Sequence, residues 1–269
     1  MNIDDQRFVG ASGWRQNEQT FDAFRVTNRS IDRLTLDFTY VHQVNRVFGE
    51  NSPVGRYHGS TYFGNAAWQT PFGKLTGYLY LLDFDRAPTD SSETLGLRFA
   101  GERAVQGIKL AYSAAYARQN EYADNPLNYD DDYCALELAA TLHDFSLTAG
   151  TEVLAGDGVK GFTTPLATLH KFQGWADKFL TTPANGIDDR YLSAGYARKK
   201  VGPLDAVSVT AAYHWFRSER MSFHYGKELD AQLQLKRGKA ALTFKYADYT
   251  RGSFATDTRK FWVQLEYVR

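Results

Sequence analysis

Residues 33–40 read RLTLDFTY, and the alternation of that octet decides the fold class. Leu34, Leu36, Phe38 and Tyr40 fall on one face, and Arg33, Thr35, Asp37 and Thr39 fall on the other. A strict two-residue period marks a half-buried strand, because successive side chains leave a pleated backbone on opposite sides. The texture recurs along the chain. Leu95, Leu97 and Phe99 oppose Gly96, Arg98 and Ala100; Ile108, Leu110 and Tyr112 oppose Lys109, Ala111 and Ser113. Cys134, Leu136 and Leu138 oppose Ala135, Glu137 and Ala139, and Phe145, Leu147 and Val153 oppose Ser146, Thr148 and Glu152. Val207 and Val209 oppose Ser208 and Thr210; Leu229, Leu233 and Leu235 oppose Asp230, Gln232, Gln234 and Lys236. Leu242, Phe244 and Tyr246 oppose Thr243, Lys245 and Ala247, and Phe261, Val263 and Leu265 oppose Trp262, Gln264 and Glu266. Residues 7–14, 21–27, 57–68, 74–84 and 190–198 read as less regular strands, for a total of about fourteen.

The connections between these strands sort into two kinds. Residues 28–32, 69–73, 101–107, 143–144, 199–204 and 237–239 make tight turns, whereas 42–56, 85–92, 119–132, 156–189, 217–227 and 250–258 make long ones. Short and long alternate throughout. An up-and-down antiparallel barrel crossing a membrane has this asymmetry, and strands of about ten residues suit a tilted crossing. Tyrosines near the strand ends, among them Tyr40, Tyr78, Tyr116, Tyr213 and Tyr246, fit aromatic girdles at the two interfaces. The reading is an all-β transmembrane barrel forming one domain over residues 1–269, with 157–190 as a long constriction or lid loop.

Composition narrows the classes further. The 269 residues carry 31 basic and 31 acidic side chains, so nothing draws the chain to nucleic acid. Mean hydropathy is −0.46, and no apolar run reaches the roughly 18 residues of a membrane helix. A barrel escapes that test, because a polar lumen face offsets the apolar lipid face. Cys134 is the only cysteine, which excludes an internal disulfide. The polar start Met1-Asn2-Ile3-Asp4-Asp5 is no secretory leader. Hydrolase, nucleotide-binding and zinc-protease signatures are absent from the sequence, so an enzyme is not expected.

Two stretches carry a family likeness. Residues 2–26, NIDDQRFVGASGWRQNEQTFDAFRV, and residues 169–191, LHKFQGWADKFLTTPANGIDDRY, resemble the alginate-export family of outer-membrane porins. The resemblance implies a monomeric barrel in the bacterial outer membrane that passes an anionic polysaccharide or a related solute. Family barrels have roughly eighteen strands, which implies about four further N-terminal strands and a signal peptide ahead of Met1.

The lumen face then carries the site residues. Arg25, Arg33, Asp37, Arg98, Lys109, Glu137, Glu152, Arg198, Asp230, Lys245 and Glu266 are expected to line the pore, where such charges set selectivity or pair across the wall. Lys236 joins the same face. In the long loop His170, Lys171, Phe172, Trp175, Asp177 and Lys178 make a polar-aromatic constriction, and the Trp175–Phe179 spacing predicts a short helical turn there. No catalytic residue, metal site or cofactor is expected: transport down a gradient needs none. Asp130-Asp131-Asp132 and Asp188-Asp189 are acidic clusters that could hold Ca²⁺ on outer loops. The expected partners are the lipid bilayer and a hydrophilic or anionic saccharide solute. A non-conducting structural or adhesive barrel is the alternative, and a soluble β-barrel binding protein a more distant one.

Overall fold

The computed structural model describes residues 1–268. Among these residues thirteen strands follow in chain order: β1 (Thr20–Ile31), β2 (Leu34–Asn45), β3 (Arg56–Thr70), β4 (Gly73–Leu82), β5 (Ser92–Val105), β6 (Ile108–Glu121) and β7 (Asp130–Leu142). The second half holds β8 (Phe145–Leu154), β9 (Ile187–Val201), β10 (Leu204–Arg217), β11 (His224–Arg237), β12 (Ala240–Arg251) and β13 (Thr258–Tyr267). Each strand pairs antiparallel with the next, and all belong to one sheet. At one end every connection is two residues long: 32–33, 71–72, 106–107, 143–144, 202–203 and 238–239. At the other end lie 46–55, 83–91, 122–129, 155–186, 218–223 and 252–257. The alternation read from the sequence is therefore real, with strands of 10 to 15 residues.

Among the described residues β1 and β13 are the sheet's two edges, and the sheet is not closed. Both run from the long-loop end to the short-turn end. Direct pairing between them would be parallel, so an antiparallel closure needs an odd number of strands between the two edges.

The count is thirteen and not fourteen because residues 7–14 form no strand. Asp4, Gln6 and Ser12 all have positive φ, which an extended ladder does not tolerate. The backbone bonds of this segment go to the long loop instead: Gly10 N–H donates to Leu166 O at 2.9 Å, and Thr168 N–H to Gln6 O at 3.1 Å.

The pleat sorts the wall into two faces. Phe24, Phe38, Leu97, Leu136, Val209 and Leu265 stand exposed on the outside, as lipid-facing positions do. Thr39, Thr94, Gln119, Glu152, Asp189, Glu228 and Asp230 point inward and are buried. The dry core lies inside the curved wall. Phe8 packs on Tyr78, Tyr80, Tyr133 and Phe162, with ring centres 5.2 to 6.0 Å apart. Phe179 packs on Phe216 at 4.6 Å and Phe254 at 5.1 Å. No helix among the described residues is long and apolar enough to cross a membrane.

The two faces respond differently to substitution. Leu136→Arg puts a cation against hydrocarbon and should cost about 2–4 kcal/mol. Glu137→Gln, one residue on and facing inward, should unfold in detergent at nearly the wild-type denaturant concentration. Equal defects at both positions would mean that the register is displaced by one residue.

Candidate functional site

Two segments fill the interior, residues 1–19 and residues 155–186. Besides their backbone bonds, Gln19 Nε2 donates to Gly10 O and Leu166 O, and Thr168 Oγ1 donates to Gln6 Oε1 at 2.8 Å. They act as one interlocked body held to the wall at three places.

The first is Arg7. Its Nε lies 2.6 Å from Glu152 Oε1 on β8, an ionic approach without the angle of a good hydrogen bond. Nη1 donates to Thr164 Oγ1 at 3.2 Å, and the guanidinium sits 4.7 Å from the Phe172 ring centre. Glu152 also accepts from Tyr133 Oη at 2.9 Å and from Gln173 Nε2. One carboxylate thus gathers the N-terminal segment, the loop and β7.

The second is the pair Glu228 and Asp230 on β11, both fully buried. Ala176 N–H donates to Glu228 Oε1 at 2.6 Å, and Trp175 N–H to Asp230 Oδ2 at 3.1 Å. Gly174 makes the approach possible: its φ is +79°, and a Cβ there would lie 2.6 Å from the Glu228 carboxyl carbon. Beside them His214 Nδ1 lies 3.0 Å from both Asp189 oxygens.

The third is a polar chain around His170, which is buried under the Trp14 ring at 3.7 Å. Lys245 Nζ donates to His170 Nε2 at 2.8 Å. An ammonium cannot accept, so the network assigns the imidazole proton to Nδ1, 2.7 Å from Asp177 Oδ1. Asp177 Oδ2 in turn accepts from Lys260 at 3.1 Å. Burial is the main cause that holds His170 below its ordinary pKa, and Lys245 and Arg15 add to it against Asp177. For Asp177 burial pushes upward, but His170 and Lys260 together outweigh it and hold the carboxyl below the usual range.

The residues singled out from the sequence fall into groups. Glu152, Asp230, Lys245, His170, Phe172, Trp175 and Asp177 come together in the brace. Lys171 Nζ donates to Asp5 O, and Lys178 lies 5.7 Å from the Tyr249 ring centre. Arg98 faces inward and pairs with Asp4 and Asp5. Arg25 and Asp37 pair across β1 and β2 at 2.9 Å, and Lys109 pairs with Glu102 at 2.7 Å near the short turns. Glu137 accepts from Tyr191 Oη, and Glu266 from Gln264.

Four expectations need correction. Arg33 does not line the lumen: it sits in the turn before β2 with φ of +60° and pairs with Asp32. Arg198 pairs in register with Val207 and so shares the outward face with Tyr196 and Val209. The loop's helical turn is a 3-10 turn at Leu169–Lys171, because the positive φ of Asp177 breaks a helix through 175–179. The two acidic clusters open β7 and β9 and do not lie in loops, and the pleat sends neighbouring carboxylates to opposite faces. Sequence reading missed Arg7, Gln173, His214, Glu228 and Lys260, and took Asp189 for part of an outer-loop cluster. Only Glu228 carried a usable signal, two residues before Asp230 on the same strand face.

A sequentially wound antiparallel wall, apolar outside and polar within, around an inward-folded loop, is the fold of an outer-membrane β-barrel channel. Solved structures share it. Acinetobacter baumannii OccAB4 matches with a TM-score of 0.77 at 15% identity, over 98% of this chain and 69% of its own. OccAB2 of the same species matches at 0.73 and 17%, over 99% and 72%. Pseudomonas aeruginosa OccK1 (OpdK) matches at 0.69 and 15%, over 98% and 71%. These neighbours are outer-membrane porins of the OprD family. No protein-family model and no curated protein matches the sequence.

Arg7→Ala strands the buried Glu152 carboxylate and should destabilise the interior by about 3–5 kcal/mol, read as a lower melting temperature; Arg7→Ala with Glu152→Gln should recover part of it. Acid should also loosen the loop. The unfolded segment takes a proton on His170 near the ordinary 6.5 while the folded one resists, so stability falls as pH drops below that value. Asp177 adds a loss of the same sign near 3.8 and below. Tryptophan emission followed from pH 7 to 5 should shift in the wild type and much less in His170→Gln.

Proposed function

We propose that the chain forms the wall and constriction of a passive outer-membrane channel for hydrophilic solutes, with saccharides as the solute class. The observation that carries this reading is the space left between brace and wall, a cavity of about 430 Å³. Tyr133, Tyr191, Phe172 and Trp175 border it together with Glu137, Asp189, Arg98 and Lys171. Aromatic faces stack on the apolar faces of sugar rings, while carboxylates and cations bond their hydroxyls. Solvent-filled and fed by a gradient, such a passage requires no catalysis.

The finer alginate reading fits this wall less well. Around the cavity Asp5 is paired with Arg98, Glu152 with Arg7 and Asp189 with His214, which leaves Glu137 and Asp230 against Lys171. A ring of that sign repels a polyanion and favours neutral sugars. The packed core inside the wall favours the second reading, a non-conducting barrel, because Phe8 and Phe162 occupy what would otherwise be open passage.

Planar-bilayer recording of the full-length protein separates these readings. The channel reading expects discrete conductance steps, a mild preference for cations that fades at 1 M salt, where the Debye length is about 3 Å, and liposome swelling in neutral sugars. Glu137→Gln should weaken the cation preference. Silent bilayers would establish the non-conducting barrel, and swelling by sugar acids alone would restore the anionic solute.

A further inference from the structure

Away from the brace, at the long-loop rim of the wall, two histidines meet across strands. His42 Nε2 on β2 lies 3.0 Å from His58 Nε2 on β3. Local structure explains how they come to face one another. Against β1, His42 is the extra residue of a β-bulge between Val41 and Gln43, and the β2–β3 register shifts at the same place, with Gly59 and Ser60 opposite it. Such bulges re-aim a side chain out of the regular alternation.

His58 is fixed from behind. Asp85 N–H donates to His58 O at 3.0 Å, and Asp85 Oδ2 lies 2.7 Å from His58 Nδ1. This double contact requires the 83–91 connection to press against β3. It does so over Gly59, where a Cβ would fall 2.0 Å from Asp83 O. A carboxylate at Nδ1 places the imidazole proton there and leaves Nε2 as the lone-pair nitrogen, the arrangement by which carboxylates orient metal-binding histidines.

The contact between the rings is not a head-on hydrogen bond. Their centres are 4.3 Å apart and their planes 78° from parallel. A linear N–H···N bond of the same length would hold the centres farther apart, by about a ring radius at each end. At least one nitrogen lone pair is therefore aimed away from the other ring. Both side chains of the His58–Asp85 pair are about half exposed, at 48% and 56%, and His42 is exposed as well, so an ion has access. The depression of about 500 Å³ beside His58 and Asp85 is also bordered by Arg56 and Arg86. Among the described residues no three His, Cys, Asp or Glu converge on one point, so water would complete the coordination.

We propose that His42 and His58 form a two-histidine site for a borderline divalent transition ion, Cu²⁺, Ni²⁺ or Zn²⁺, with Asp85 as the positioning residue. Two imidazole nitrogens select such ions over Ca²⁺ and Mg²⁺, which take oxygen ligands. The site lies at the rim, apart from the constriction, and does not depend on the solute the channel carries.

The test is calorimetric titration of the full-length protein, purified without a polyhistidine tag, with Cu²⁺, Ni²⁺ and Zn²⁺ in turn. One ion per chain is expected, with an electron paramagnetic resonance spectrum of the Cu²⁺ form showing nitrogen coupling. His42→Gln and His58→Gln should each abolish that binding, and Asp85→Asn should weaken it by about 10- to 100-fold. His143→Gln and His224→Gln should leave it unchanged. These rim side chains are exposed, so all variants should keep the wild-type circular dichroism spectrum. Absence of binding, or binding that survives His42→Gln, would overturn the proposal.

Discussion

Hydrocarbon offers a backbone amide nothing to bond to, and the whole molecule is shaped by that constraint. A wall standing in lipid must pair its N–H and C=O groups internally, which selects long antiparallel strands joined by the shortest turns available. All six connections at one end are two residues long. Pleating then divides every strand into a face for lipid and a face for the interior, and the alternation of apolar and polar residues follows from it. The interior must in turn satisfy what it buries.

It does much of this by folding two non-strand segments inward, although Glu228 Oε2 and Asp230 Oδ1 keep no hydrogen-bond partner among the described residues. Their polar groups meet the carboxylates of the wall, with Arg7 on Glu152 and the amides of Trp175 and Ala176 on Asp230 and Glu228. The apolar residues of the same segments pack between these anchors, so the constriction is held by charge at its edges and by aromatic rings at its centre. A loop held in this manner has one position relative to the wall, and the shape of any passage is set by the brace more than by the strands.

The wall was legible in the sequence because a two-residue period survives any tertiary context that keeps one side in lipid. Legibility failed where that period carried no information. Around Arg198 the period is diluted by Ser193-Ala194-Gly195, small residues that mark neither face, and the arginine's charge suggests the lumen. Pairing with Val207 shows that it points outward with Leu192 and Tyr196. Residues 7–14 imitate alternation, yet their bonds run to a segment far along the chain: Arg7 reaches Thr164, 157 positions away. Nothing local encodes such a partner. The constriction loop was recognisable by its length and aromatics, but its anchors were not, because a buried carboxylate looks like any other charge on a strand's inner face until its partner is known.

The chain distances in the brace also impose an order in time. Every neighbour in the sheet is a neighbour in sequence, and six of the twelve hairpins close through two-residue turns at little entropic expense. The contacts that lock the two interior segments to each other span 147 to 166 positions, from Gln19 and Leu166 to Lys171 and Asp5. Contacts of such separation form slowly, after the local ones have shortened the path between their ends. Assembly therefore passes through a stage in which the wall is built and its interior is still unfilled. The brace is the last part to arrive and the first that can leave.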